Sequence, residues 1–472
     1  MKDKNKLYWV WLSLICRPGS RTAVRILRHF DDAESVYKAS AKELLDSGTL
    51  KESDPVFSDI LRHDTSDAVD IVKWCSDNGV EIITPESKNY PSNLYSLRDA
   101  PIVLYCVGDL PDLDRYCSVA MVGSRNMSDY GRVNSFRFGY GLAKAGALVV
   151  SGLALGVDGM SMASATVGGG VTVGVIGCGI DVVYPKEHTQ LFRETVKNGA
   201  VLTEYPPGTR PQRGAFPQRN RIISGLAQGA LVVEAAQDSG SLITARHAIY
   251  QGKDLFSVPG GLDRPNSEGT NHLIKEGAFA VTDPADIVER YEFIYPHTLD
   301  LSSMRKALSG VDLVRSSEKT MTLFGVSSEA DRRNVYGKRA SLGIADDSPI
   351  VMIGDESTYD ADPFEPVSGA DKKPEPLRAE KKKRKKEKKF DAPTEPKRID
   401  FELLEENDIR VYNAMTPDTP MIPEELLLDG MCVSDVMASL TMLEISGAVE
   451  AGAGGYFMRS SADDLTLSGK ED

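Results

Sequence analysis

The sequence predicts an α/β protein: an extended Rossmann-type, mostly parallel sheet with an N-terminal small helical domain and a C-terminal winged-helix domain. Three observations predict it. Between about residues 80 and 292, short Val/Ile-rich runs alternate with helical stretches. Those runs lack apolar/polar alternation, as strands buried on both faces do. Glycine clusters recur where a run gives way to a helix, the place at which such sheets bind ligands.

The strand candidates are Val80–Thr84, Ile102–Cys106, Val119–Gly123, Leu148–Ser151, Val171–Ile176, Ala200–Thr203, Ala230–Val233, Leu255–Val258 and Phe279–Val281. Helices such as Asn134–Ala145 and Ile243–Gln251 fall between them. Residues 1–75 read as helical, with apolar positions at helical spacing through Leu7, Val10, Leu14 and Ile15 and again through Val24, Ile26, Leu27 and Phe30. Pro18-Gly19-Ser20 makes a turn between them. A helix–glycine turn–helix can hold a phosphate on its backbone N–H groups or can simply be a packing hairpin. Order fades over 293–398. That stretch is expected to be a largely disordered linker, because it is rich in Asp, Glu, Pro and Lys and ends in the basic run Glu380–Lys389. The run is either a solvated tether or a non-specific phosphate contact. Residues 399–459 fold again, with helices at Phe401–Met415, Pro423–Leu428 and Asp435–Ser446, the last capped by Ser434. Two short strands near Val449 and Phe457 complete a winged helix, and 460–472 is a disordered tail. The recognition-helix candidate carries no Lys or Arg, which favours a protein contact over duplex DNA.

The 472 residues suggest about three domains. The net charge of −14 excludes a generally basic coat, so nucleic-acid binding would need a local basic groove. Six dispersed cysteines with no CxxC pair and scarce histidine argue against a metal site and for buried, reduced thiols in a cytoplasmic protein. LYWVWLSLIC near the start is too short to span a bilayer and has no cleavage site after it, so a buried first helix is expected.

The chemistry is carried by the strand ends. Gly123-Ser124-Arg125 closes one run and opens a helix: glycine permits close backbone approach, serine can cap, and arginine offers a fork that fits phosphate. SGLALGVDG (Ser151–Gly159, including Gly152) repeats the arrangement, and Gly174–Gly179 is a third cluster. In Phe216-Pro217-Gln218-Arg219-Asn220-Arg221, preceded by Arg213, cations stand beside an aromatic ring, as a single strand of nucleic acid needs. The alternative is that Phe216 is core and the arginines pair with Glu204 or Glu234. Ser239-Gly240-Ser241 is another helix start, followed by Val258-Pro259-Gly260-Gly261 and Gly269–Ala278.

In this order the blocks resemble the DNA-processing protein A (DprA/Smf) family: GSR, SG-x-A-x-G-V-D, GCGIDVVYP (Gly177–Pro185), TEYPPG (Thr203–Gly208), FPQRNRIISGL (Phe216–Leu226), VVEA…SGSLITA and VPG…GTNHLIKEGA. The resemblance implies single-stranded DNA binding on the Rossmann-type domain. It also implies protection of incoming DNA in natural transformation, hand-off to the RecA recombinase and a homodimer; no cofactor is expected. Carried over residue by residue, it implies DNA contacts at Arg125, Arg213, Phe216, Arg219, Arg221 and Lys275. Arg213 stands where the family often has lysine, and His188-Thr189 and the 293–398 segment depart from its pattern. The competing class on this fold is the nucleotide phosphoribohydrolases, whose PGGxGTxxE signature supplies a catalytic glutamate. Here Pro259-Gly260-Gly261 continues as Leu-Asp-Arg-Pro, without that glutamate. A dehydrogenase is weaker still, because no GxGxxG opens the first βαβ unit.

Overall fold

The computed structural model describes residues 2–326 and 406–416 and scattered positions from 419 to 459. The chain divides into two compact units, Met1–Phe364 and Glu365–Asp472.

The first unit opens with six helices: α1 (Lys2–Cys16), α2 (Arg21–Leu27), α3 (Ala33–Lys38), α4 (Ala41–Asp46), α5 (Pro55–Leu61) and α6 (Ser66–Asp77). Trp9, Val10, Trp11 and Leu12 bury the middle of α1, so the apolar N-terminal stretch is core. Ser20 N-caps α2, Asp32 caps α3, and Ser40 with Glu43 forms a capping box on α4.

Nine strands follow: β1 (Glu81–Ile83), β2 (Leu104–Gly108), β3 (Ser118–Val122), β4 (Leu148–Ser151), β5 (Thr172–Val175), β6 (Gly199–Thr203), β7 (Gly229–Val232), β8 (Asp254–Ser257) and β9 (Phe279–Ala280). They form one sheet in the order β1-β2-β6-β5-β4-β3-β7-β8-β9. Strands β3 to β9 run parallel, while at one edge β2 pairs antiparallel with β6 and β1 antiparallel with β2. The central strands β3 to β7 are buried on both faces, which is why their sequences show no alternation.

The strands alternate with α7 (Asp129–Lys144), α8 (Val157–Val167), α9 (Thr189–Lys197), α10 (Ala215–Gly225), α11 (Ser241–Tyr250), α12 (Glu268–Lys275) and α13 (Pro284–Tyr291). One apolar core, containing Phe136, Phe138, Met160 and Leu191, lies under α7, α8 and α9 and runs into the N-terminal helices. The other, with Ile222, Ile223, Ala245 and Leu273, lies under α10, α11 and α12. Strand order reverses at β3. The chain steps outward through β4, β5 and β6, then crosses back to β7 on the other side, which makes β3/β7 the switch point at the carboxyl edge.

The linker expectation is corrected for residues 301–326. Two helices, α14 (Leu301–Ser309) and α15 (Leu313–Phe324), are N-capped by Asp300 and Asp312. Met304 and Phe324 enter the core beneath α7 and α8. Buried Arg132 of α7 donates to the Val314 carbonyl and the Ser317 hydroxyl, which fastens α15 down. The rest of the expected linker, with the Glu380–Lys389 run, and the 460–472 tail lie outside the described residues.

In the second unit, α16 (Glu406–Ala414) and an antiparallel pair, β10 (Glu450–Ala451) and β11 (Phe457–Met458), are described. Val411, Leu426, Val436, Leu440, Leu443 and Phe457 share one apolar cluster. Most of the helices expected at Pro423–Leu428 and Asp435–Ser446, and the Ser434 cap, fall outside the described residues. The winged helix therefore remains a proposal.

Candidate nucleic-acid interface

The glycine loops gather at the carboxyl edge of the sheet. After β3 the chain turns through Gly123, Ser124 and Arg125 and enters α7 at Ser128, whose hydroxyl accepts the Gly131 N–H. Glu234, at the end of β7, holds this loop. Its carbonyl accepts from the Ser124 N–H at 2.7 Å. Its carboxylate accepts from the Ser128 N–H at 2.8 Å and the Ser128 hydroxyl at 2.5 Å. Burial pushes the Glu234 carboxyl up, against those hydrogen bonds. Asn266, beyond β8, ties in by donating to the Asn126 carbonyl.

The loop after β4 lies against the Arg125 loop. Gly156 has φ +75°, and a Cβ there would collide with the Ser124 and Arg125 carbonyls, so glycine is required at the crossing. Gly152 likewise leaves no room for a Cβ between the Asp158 carboxylate and the Arg219 guanidinium.

These loops and the start of α10 line a narrow cleft open to solvent, walled by Arg125, Gly152, Leu155, Ile176, Tyr184, Phe216 and Arg219, among others. The half-buried Arg125 guanidinium lies 5.4 Å from the centre of the Phe216 ring. Tyr184 packs on the same ring at 5.6 Å with a 35° tilt. A cation above an aromatic face, with Leu155 and Ile176 beside it, suits a ligand that is flat and apolar at one end and anionic at the other.

The structure separates the arginines of α10. Arg219 is 4% exposed and forms part of the cleft wall. It donates to the carbonyls of Gly152 (2.8 Å) and Val175 and to the Asn220 side chain. Burial lowers its pKa to about 10, opposed by Asp158. Asp158 is itself pushed up by burial, opposed by Arg219 and Arg125. Arg221 is 2% exposed; its Nη2 donates to both Glu204 carboxylate oxygens, at 2.8 and 2.9 Å, and its Nε and Nη2 donate to the Asp99 carbonyl. Burial works against this cation, but Glu204 and Asp99 outweigh it and raise its pKa. The expectation that Arg221 meets a strand is therefore corrected: its donors are spent inside the fold, on one of the two glutamates weighed from the sequence. The Gly19 N–H also donates to Glu204, so the N-terminal glycine turn is a packing hairpin.

Phe216 is 8% exposed, mostly core, with its remaining face toward the cleft. Arg213 is exposed just ahead of α10. Ser239, Gly240 and Ser241 open α11 beside α10, with the two serine hydroxyls 2.8 Å apart. Lys275 is not brought into this group. It is exposed in the last turn of α12, which runs back from the carboxyl edge to the start of β9 at the opposite edge. Sequence reasoning did not nominate Tyr184, Asp158, Leu155 or Ile176, although all lie in or beside blocks it marked. The signal was there in the V-D of the second glycine block and the YP ending Gly177–Pro185.

Among the described residues no group of three His, Cys, Asp or Glu side chains is placed to hold a metal. Five buried cysteines are free, and burial pushes each thiol up to about 12. No described helix is long and apolar enough to cross a membrane.

A doubly wound sheet with an arginine–aromatic cleft at the carboxyl ends of β3, β4 and β5 defines a Rossmann-type protein. The chain belongs to the DprA/Smf family. The sequence model described as DNA recombination-mediator protein A matches residues 81–292. DNA processing protein DprA of Bacillus subtilis is 42% identical over 213 residues, covering 45% of this chain and 72% of its own. Protein Smf of Escherichia coli is 41% identical over 221 residues, covering 47% of this chain and 59% of its own. Among solved structures, DNA processing protein A of Streptococcus pneumoniae matches with a TM-score of 0.52 at 32% identity, over 59% of this chain and 95% of that one.

Proposed function

We propose that this protein binds single-stranded DNA in the Arg125–Phe216 cleft, protects it, and passes it to the RecA recombinase during transformation and recombination. It acts in the cytoplasm as a homodimer and as a binder, not a catalyst. The observation that carries the reading is the Arg125 guanidinium 5.4 Å over the Phe216 ring at the mouth of the cleft. The cation meets a phosphate and the ring offers a face to a base, without any reading of sequence. Arg219 and Asn220 shape the wall. Gly123, Ser124 and Gly152 let the backbone come close. Ser239, Gly240, Ser241 and Arg213 extend the polar rim. Family membership supports the same ligand and the RecA hand-off, and the second unit is read as a winged helix that contacts protein.

Fluorescence anisotropy with labelled oligo-dT, run against duplex, tests this. The wild type should bind the single strand in a salt-sensitive way and more tightly than duplex. Arg125→Ala should cost on the order of 100-fold, because it removes both a phosphate partner and the cation that steadies the stacking ring. Undiminished affinity in Arg125→Ala would reject the site. Release of ribose 5-phosphate from AMP would put a hydrolase in place of the binder. RecA filament assembly on oligo-dT should quicken when the protein is added, and an unchanged rate would remove the hand-off.

A further inference from the structure

We propose that a single strand leaving the cleft continues onto the N-terminal helical domain, along an arginine face of α2. This rests on the cleft reading above and adds a second binding surface to it.

The surface is visible first in the charge. Residues 17–30 contain Arg17, Arg21, Arg25 and Arg28 and no Asp or Glu, in a chain whose net charge is −14. Helical spacing gathers them. Positions 21, 25 and 28 fall on one side of α2, while Ala23 and Ile26 bury the other. Arg17, Arg25 and Arg28 are exposed. Arg25 donates to the Thr49 carbonyl at 3.1 Å, which orders one member of the row. Asp32, just beyond, is spent on the N-cap of α3.

Continuity with the cleft is the second observation. The turn between α1 and α2 sits on α10. Gln218 packs against Gly19, close enough that a Cβ on Gly19 would meet its side-chain amide at 3.2–3.3 Å. The Gly19 N–H donates to Glu204, the partner of Arg221. Gln218 follows Phe216 by two residues and accepts from the Tyr205 hydroxyl. Arg17 and Arg21 flank Gly19 at two residues on either side, so their backbones lie within about 8 Å of it. From Arg21 the helix rises about 10 Å to Arg28. The exposed Arg213 stands in the loop just before α10, three residues ahead of Phe216 and five ahead of Gln218. The buried Arg221–Glu204 pair therefore clamps two basic surfaces into one track.

The test uses the full chain and oligo-dT of two lengths, about 6 and about 20 nucleotides, chosen to bracket the usual site of one domain. In Arg17→Asn with Arg28→Gln, asparagine tolerates the positive φ of 63° at position 17. This variant should bind the short oligomer like the wild type. It should bind the long one on the order of tenfold more weakly, with the slope of log K against log salt shallower by about 1.4, or about 0.7 for each phosphate no longer neutralised. Arg17→Lys with Arg28→Lys should restore the long-oligomer affinity to within about threefold, since point charges serve a non-specific phosphate track. Arg28→Glu, a single change at an exposed helix end, gives the same reading if the double variant melts early. Long-oligomer affinity and salt slope equal to wild type in a normally melting variant would overturn the extension while leaving the cleft intact. Failure of the wild type to bind either oligomer would instead defeat the cleft reading.

Discussion

The two walls of the cleft use the same side chain for opposite purposes. On the β3 wall, Arg125 keeps its guanidinium over the Phe216 ring at the mouth, while Glu234 serves the backbone and hydroxyl of the loop that carries it. On the α10 wall, Arg221 is locked to Glu204, and Arg219 is turned into carbonyls beneath Gly152. The difference lies in which carboxylate reaches which cation. Glu204 leaves the end of β6 directly under α10, close enough for two bonds to one guanidinium. Glu234 leaves β7 one strand from β3 and finds N–H and hydroxyl donors first. One wall is thus built to hold a helix and the N-terminal turn in place, and the other to present a charge.

The comparison breaks most sharply at the buried pair. Glu204→Ala leaves the Arg221 cation, 2% exposed, with Asp99 as its remaining carboxylate, which should cost up to about 3 kcal/mol of stability. Urea denaturation reads it directly. Arg125→Ala should lower the stability by only about 1 kcal/mol while weakening DNA binding on the order of 100-fold, because a half-exposed cation–π contact is worth little to the fold. If both variants lost stability equally, the two walls would not differ in kind.

That division was only partly legible in the sequence. The nine strands were readable because several of the runs are Val/Ile-rich without alternation, and the carboxyl ends of the central ones followed from the glycine clusters. α15 was not readable because polar residues interrupt its packed face: between Leu313 and the Met321–Phe324 end, Ser317 and Thr320 are buried, and Ser317 receives Arg132 from a helix 185 residues earlier. The apolar period that announces a helix is thinned there. For Arg219 and Arg221 the sequence left a strand contact and an internal pairing both open, because their partners are scattered. Gly152, Val175, Asp99 and Glu204 come from four separate segments, and only the fold brings them under α10. Lys275 shared a motif with the site but not an edge of the sheet. A helix reverses direction within one block of sequence, and motif reading does not register it.

A smaller effect tests how tightly α11 and α10 close over the clamp. His247 of α11 is partly buried, and burial lowers its pKa from 6.5 to about 4, with Asp99 opposing and Arg221 adding. The unfolded chain therefore binds this proton more readily than the folded one. The associated stability is complete above about pH 6.5 and is lost as pH falls toward 4, amounting to roughly 1–3 kcal/mol. Denaturant midpoints at pH 7 and pH 4.5 should show the loss, and His247→Gln should remove that part of it. An acid loss of the same size in the variant would mean that the proton goes elsewhere.

The smallest expected change is at Arg213, on the rim between the two walls. It is exposed one residue ahead of the N-cap of α10, and its contact with a strand is surface electrostatics, screened by salt. Arg213→Ala should weaken oligo-dT binding by less than about tenfold and make the salt slope shallower by about 0.7, the share of one phosphate, with no change in the urea midpoint. Arg213→Lys should recover most of that loss, because an exposed phosphate contact asks for charge more than for a planar fork. If lysine behaved like alanine, Arg213 would be engaging a phosphate through paired donors, and the rim would belong with the Arg125 wall as a shaped site. If neither substitution moved the slope, the strand would pass from Phe216 without touching the loop before α10.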